Sequence, residues 1–452
     1  MSKHQNRRKD GRNIAPKTQA SGRLSFENTR CVVDDMPVQA SGDLVFNNQK
    51  IDFQSFTVKG IESDVQLTGS LDNWLALFSS DDQQTTDAII SAEIASNNLN
   101  LGKVLAFASA PEAPKSYGYA TKGLPTPQYR KQFPLLNHLS GRLITSVKHF
   151  QHKKIIGRDF KGTLELAGND LILRGAASAM QGGWLIDGKM DLGYRPHLFA
   201  KLTTSGVNMT EFFNQTDNFG QNILRKENIS GRLTSRMAIN AFWDEHFKFD
   251  LNKLHVLADV ALVNGELVGF KMLEKFSNFV KVKDLQHIKF TNLSNQLEIY
   301  RRTIHIPLMF VQTNALNLQV SGEHTFDQKL NYNLSINAGQ VLMNRFKLFN
   351  SRLDPQPDRR NGWFTLYYNI GGSVQNPTFA QDKEGVRMAF LESENKLTDM
   401  RARLSRSFNI QFSTTDKRSD AVAQLPQASP FPNKKPINSK QTEDDSRYLP
   451  GF

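Results

Sequence analysis

Strict alternation of apolar and polar residues constrains the fold of this chain more than any other feature. Leu164 and Leu166 alternate with polar neighbours before a turn, and Leu171 and Leu173 follow it. Successive side chains of a strand point to opposite faces, so this pattern predicts strands with one apolar and one polar face. The same alternation recurs at residues 65–71, 316–321 and 330–337.

A four-residue motif recurs at the predicted strand starts: Ser or Asn, then Gly, then a charged residue, then Leu. Its copies begin at Ser21, Ser41, Ser140, Ser230 and Asn264. The irregular spacing excludes a solenoid of fixed period and indicates a run of hairpins. We expect its glycine to permit a bend or bulge in each strand.

Helical patterns are few and short by comparison. Amphipathic spacing predicts a helix over residues 270–281, a longer one over 383–406 and one or two turns at 72–78. We therefore predict a mainly β protein. Its long curved, largely antiparallel sheet of consecutive hairpins forms an open groove or partly closed barrel, with a few short helices.

Composition divides the chain into a β-rich region of residues 21–382 and its flanking segments. Residues 1–20 are basic and residues 414–452 are rich in Pro and polar residues, and we expect both to be disordered. Five prolines between residues 109 and 134 predict a long loop. Residues 383–413 are predicted to form a helical extension.

Motifs for catalysis are missing from the sequence, which predicts a protein that is not an enzyme and needs no cofactor or metal. It holds no nucleophile elbow, P-loop, dinucleotide fingerprint or HExxH, and a single cysteine, Cys31. The close pair His149 and His152 is flanked by lysines, so we interpret it as a solvated loop. The net charge of +12 suits an anionic membrane surface or plain solvation. Without an RNP-like aromatic motif, we expect no nucleic acid partner.

The predicted helices are too few to cover so many apolar strand faces, which leaves two interpretations. In one, an open apolar groove takes phospholipid acyl chains. In the other, the core is closed, and the protein is a structural or interaction protein. For every groove candidate, ordinary core packing is the alternative. The candidates are Leu164, Leu166, Leu171, Leu173, Leu316, Leu318 and Val320.

Several sequence segments, in order along the chain, resemble the C-terminal region of AsmA-like proteins in the form common among Bacteroidota. They lie at residues 41–73, 98–101, 263–290, 304–327 and 371–377. The last is Gly371-Gly372-Ser373-Val374-Gln375-Asn376-Pro377, similar to the family's closing strand end. The resemblance covers roughly residues 20–410.

The resemblance implies a relative of bridge-like lipid transfer proteins. Such a protein would act in outer-membrane assembly and in phospholipid transport between the inner and outer membranes, in the periplasm and associated with the inner membrane. Its partners would be phospholipid acyl chains and components of either membrane. For a closed core, the resemblance implies instead a structural or interaction protein of the cell envelope that regulates targeting of proteins to the membrane. The sequence shows no signal peptide or transmembrane anchor of its own, so we expect that an upstream anchored polypeptide completes the assembly.

Overall fold

The structure is a computed structural model that describes residues 21–33, 36–78, 87–108, 138–193, 195–220, 224–244, 248–269, 286–313, 317–337 and 365–412. Four predicted segments lie outside these residues: the basic arm, the Pro-rich loop, the helix over 270–281 and the C-terminal tail.

The described chain is built around one sheet of 18 strands. The first nine are β1 (Ser21–Val33), β2 (Met36–Asn47), β3 (Lys50–Gly60), β4 (Ser63–Asp72), β5 (Ala88–Asn100), β6 (Leu139–His152), β7 (Ile155–Ala167), β8 (Asp170–Ala179) and β9 (Gly182–Asp191). The others are β10 (His197–Asn208), β11 (Ile229–Phe242), β12 (His255–Val268), β13 (His287–Tyr300), β14 (Thr303–Gln312), β15 (Asn317–Thr325), β16 (Leu330–Asn337), β17 (Thr365–Gly372) and β18 (Pro377–Gln381).

Each strand pairs with its neighbours in chain order, and the pairs are antiparallel except for β5 with β6. In the described residues β1 pairs only with β2, and β18 only with β17. The sheet is therefore open, and the predicted fold class is confirmed. The predicted hairpin of β7 and β8 is confirmed too, whereas His149 and His152 lie in β6, so the loop predicted for them is wrong.

The helices are α1 (Leu101–Ala108), α2 (Met209–Gln215) and α3 (Lys383–Phe408), with 3-10 turns at Trp74–Phe78 and Asp217–Gly220. The helix predicted over residues 383–406 is thus confirmed as α3. It begins where the Asp382 carboxylate accepts a hydrogen bond from the Gly385 amide at 2.8 Å. It ends at Asn409, whose φ of 51° is left-handed.

Bulges interrupt the pairing of strand after strand. The register shifts at Asn28, Gly42, Ser55 and Asp159, which all have positive φ angles. A bulge bends its strand and increases the local twist, so repeated bulges curve the sheet.

The two faces of the sheet differ in chemistry. We call inner the face that carries Leu143, Leu164 and Leu173, and outer the face that carries Glu165 and Arg174. On β6, the inner Leu143 is 6% exposed, whereas its outer-face neighbour Ile144 is 53% exposed. The inner face is therefore the one that excludes water.

Helix α3 packs across β11 to β17 on the outer face. Met400 and Leu404 bury Leu257, which points away from the inner-face neighbours Val256 and Ala258. Nearby, the Leu308 amide donates a hydrogen bond to Ser393 Oγ at 2.6 Å. The longest described helix thus packs on the outer face and not on the inner face.

An ionic network joins α3 to β12 and β13. Glu298 Oε1 lies 2.7 Å from both His255 Nε2 and an Arg403 guanidinium nitrogen. Partial burial alone would raise the pKa of Glu298, but the hydrogen bonds from His255 and Arg403 outweigh it and lower the pKa to about 2. Arg403 also pairs with Asp399 one turn earlier, at 3.0 Å.

We predict that Gly141→Ala destabilises the sheet by about 2 kcal/mol or more. Gly141 has a φ of +138°, and an added Cβ would stand 1.9 Å from the Ile90 carbonyl oxygen of the parallel partner strand. The measurement is the denaturant midpoint of unfolding. Gly188→Ala is the control, because the nearest atom to its Cβ would be the Ala200 methyl at 3.5 Å, an ordinary van der Waals contact. Equal midpoints for the two variants would contradict the prediction.

We predict that Glu298→Gln flattens the acid dependence of stability. The pKa of Glu298 is about 2 in the folded protein, below its ordinary value of 4.5. Its stabilising effect is therefore complete above the ordinary value and is lost as pH falls toward 2. Thermal midpoints over this range should fall more steeply for the wild type than for the variant. Equal slopes for the two proteins would show that the ionic network of Glu298 contributes nothing to the acid dependence of stability.

Candidate functional site

A continuous apolar row crosses the inner face, perpendicular to the strands. We call it the central row, in which each residue is the direct cross-strand partner of the next, from β1 to β16. Its members are Leu24, Leu44, Phe53, Gly69, Ala92, Leu143, Leu164, Leu173, Gly188, Ala200, Ile239, Val256, Ile299, Ile304, His324 and Leu330. Strands stand about 4.8 Å apart, so the row is roughly 70 Å long.

A second row lies beside the central row on the same face and runs from β1 to β11. On each strand, its member is separated by two residues from the member of the central row. We call it the flanking row. Its members are Gly22, Phe46, Ile51, Leu71, Ile90, Gly141, Leu166, Leu171, Met190, Leu198 and Ala241. It contains only apolar residues and glycine, so the two rows together form an uninterrupted apolar surface.

Large side chains of both rows are only half-buried. Phe53, Leu164 and Leu173 of the central row, with Ile90 and Leu171 of the flanking row, keep part of their surface exposed. Local elements cover parts of the inner face: the 3-10 turn Trp74–Phe78 packs near Leu71, and α2 packs near Val207. Between these elements, the described residues leave an apolar surface partly exposed.

The outer face of the same strands is charged and solvated. Arg174 lies between Glu165 and Asp187, at 3.8 and 3.2 Å, and Arg142 lies 3.9 Å from Glu165. The side chains of these ion pairs are exposed by a third or more, so they contribute little to stability. Their role is to keep this face in water while the opposite face is apolar.

The structure brings four of the predicted groove residues together. Leu164 is the cross-strand partner of Leu173 in the central row, and Leu166 is that of Leu171 in the flanking row. Leu166 is buried and the other three are half-buried.

The remaining candidates lie elsewhere. Leu318 and Val320 are on β15, where the inner face packs against Ile288 of β13 and closes into a core with Leu334 and Ile370. Ordinary core packing is therefore the environment of Leu318. Leu316 lies outside the described residues.

His324 is the single ionisable member of the central row, and alternation alone did not reveal it. Its Nδ1 lies 2.6 Å from the Tyr332 hydroxyl, with which it shares a hydrogen bond. Burial lowers the pKa of His324 to about 4 and raises the pKa of Tyr332. Both groups are therefore neutral at neutral pH, and the row carries no charge there.

A cavity of about 540 Å³ lies between α3 and strands β13 to β16 on the outer side. Its wall includes Glu298, Glu323, Glu392, Asp399 and Arg403. This polar lining does not suit a hydrocarbon chain, so the apolar inner face remains the better site for one.

Other kinds of site are not seen in the described parts of the chain. Those residues contain no group of three or more His, Cys, Asp or Glu side chains arranged to hold a metal ion. Nor do they contain a helix that is both long and apolar enough to cross a bilayer. The chain matches no protein-family model, no curated protein and no solved structure. Its resemblance to AsmA-like proteins therefore stays a prediction.

We predict that His324 titrates near pH 4, because its imidazolium form would be desolvated between β14 and β16. Since its folded pKa lies below the ordinary 6.5, stability should fall as pH drops from that value toward 4. The measurement is the pH dependence of the ring proton resonances in NMR spectra. His324→Gln assigns the signal by its loss. A midpoint near 6.5 would show that water reaches the ring.

Proposed function

We propose that this chain is a non-enzymatic lipid-binding protein of the cell envelope, which holds phospholipid acyl chains along its inner face. The central row carries the proposal. It offers an uncharged surface from β1 to β14, before the core that closes at β15 and β16. The long helix that could have covered this surface packs on the opposite side of the sheet.

The apolar surface is long enough to hold several acyl chains at once. The hydrocarbon core of a bilayer is about 30 Å thick, so one acyl chain extends about 15 Å. The part of the row from β1 to β14 is roughly 60 Å long, which exceeds this several times. Burying each methylene gains about 0.8 kcal/mol, from which the entropy lost on association is subtracted.

The uniformity of the surface suits movement as well as binding. Neighbouring positions along the rows offer similar apolar contacts, so a bound chain gains little by staying at any one of them. A lipid can therefore slide along the rows without a chemical step. The charged groups of Glu165 and Arg174 lie on the other face, away from this path.

The resemblance to AsmA-like proteins supports a location in the periplasm, with phospholipid moving between the inner and outer membranes. It also supports an upstream, membrane-anchored polypeptide as a partner. The alternative, an interaction protein with a closed core, fits less well because the sheet is open and its buried clusters are separate, around Leu71, around Val207 and near β15 to β18.

The first test is lipid mass spectrometry on the chain purified from a bacterial envelope, together with uptake of a fluorescent phospholipid. We expect co-purifying phospholipid and saturable uptake. Protein that is free of lipid and takes up none would overturn the proposal.

The second test separates the two faces. We predict that Leu173→Glu reduces uptake about tenfold or more, because a carboxylate in the central row would be desolvated by the bound chain. Ile144→Glu, on the outer face of β6, is the matched control and should retain uptake. Leu164→Gln combined with Leu173→Gln adds polarity without charge and should also reduce uptake. Unfolding midpoints verify that each variant is folded, and equal uptake by folded inner-face and outer-face variants would contradict the assignment.

A further inference from the structure

The hairpin of β6 and β7 concentrates positive charge toward the end of the sheet at which these two strands turn. Over residues 148–161, which we call the basic hairpin, there are five cationic side chains and one acidic one, Asp159. The five cations are exposed: Lys148, Lys153, Lys154, Arg158 and Lys161. The pKa of His152 is lowered, first by partial burial and then by the positive charge of Lys153.

Exposed apolar side chains accompany this charge. Ile156 of the basic hairpin is 59% exposed, and Phe219 of the neighbouring 3-10 turn is 38% exposed. The two segments are joined, because the Ile156 amide donates a hydrogen bond to Gln215 Oε1 at 3.0 Å and Lys154 pairs with Asp217. Phe219 rests on Phe212 with ring centroids 5.0 Å apart.

From this combination we infer that the basic hairpin, with Ile156 and Phe219, docks the protein on an anionic phospholipid membrane. Each lysine or arginine near such a surface contributes about 1 kcal/mol of attraction. Apolar side chains that enter the interface add a second, non-electrostatic contribution. Together the two contributions hold a protein reversibly at a membrane surface.

The composition of this edge favours a membrane over a nucleic acid. Single-stranded nucleic acids bind to exposed aromatic platforms on which bases stack. Here the most exposed apolar side chain is aliphatic Ile156, and Phe219 already packs against two other phenylalanine rings.

The inference rests on the proposed function and extends it: an anionic membrane is the surface with which the inner face would exchange lipid. It can nevertheless be tested separately, because vesicle binding does not require an occupied inner face. Uptake of a short-chain fluorescent phospholipid below its micelle concentration tests the inner face without any vesicle.

The experiment is flotation of the full chain with vesicles of phosphatidylcholine alone or with phosphatidylglycerol added. We expect binding only to the anionic vesicles, weakened by added salt. Lys153→Glu combined with Lys161→Glu should weaken it at least about tenfold. The matched control is Lys383→Glu combined with Arg387→Glu, which makes the same charge change at exposed positions of α3 and should bind like the wild type.

A second pair of variants tests the apolar contribution. Ile156→Ser should reduce vesicle binding several-fold, whereas Ile144→Ser, a similarly exposed isoleucine, should not. Three results would overturn the inference: no binding of wild type to anionic vesicles, equal binding by hairpin and control variants, or hairpin-dependent retention on RNA without vesicle binding. Loss of vesicle binding with normal short-chain lipid uptake by the hairpin variants would support it.

Discussion

The need to shield one apolar side of every strand governs this structure. A sheet with one water-avoiding face normally buries that face against helices or a second sheet. Here α3, the longest described helix, packs against Leu257 and the ionic groups of the outer face instead. Among the described residues, the inner face is covered only by local elements, the 3-10 turn near Leu71 and α2 near Val207. The open groove follows from this placement of α3.

The position of α3 explains the polar residues buried on the outer side. Glu298 and Arg403 are both only about a fifth exposed or less, so each would be costly to bury without the other. Asp259 and Gln296 continue the polar contacts beside them, with a hydrogen bond of 2.8 Å. These contacts specify where α3 lies, and Met400 and Leu404 supply the apolar burial. Strands β11 to β17 are thereby braced from outside, without filling the inner face.

Much of the fold could be predicted from the sequence because the periodicity of a strand is a local pattern. Alternation around Leu164 and Leu173 predicted both the hairpin and the shared face, and amphipathic spacing over residues 383–406 predicted the long helix. The parallel pairing of β5 and β6 was not accessible, since register between distant segments leaves no local pattern. Nor was the side on which α3 packs: its partners Glu298 and Leu257 are more than 100 residues away in the chain. Leu318 shows the same limit, because its alternation matches that of Leu164 although it packs in a closed core.

The separation of the two faces has a consequence for how such a protein could exchange lipid. Outer-face charges such as those of Arg142 and Arg174 keep the protein apart from hydrocarbon, whereas the inner face is uncharged even at His324. A lipid passing from a bilayer to the inner face must therefore cross an edge of the sheet, where strand turns meet water. The edge formed by the β6–β7 turn and Phe219 combines cations with exposed apolar side chains. Anionic head groups would remain at these cations while the acyl chains reach the central row, which lies between the β6–β7 turn and the flanking row. Charge and apolar surface would then act at successive steps of one path.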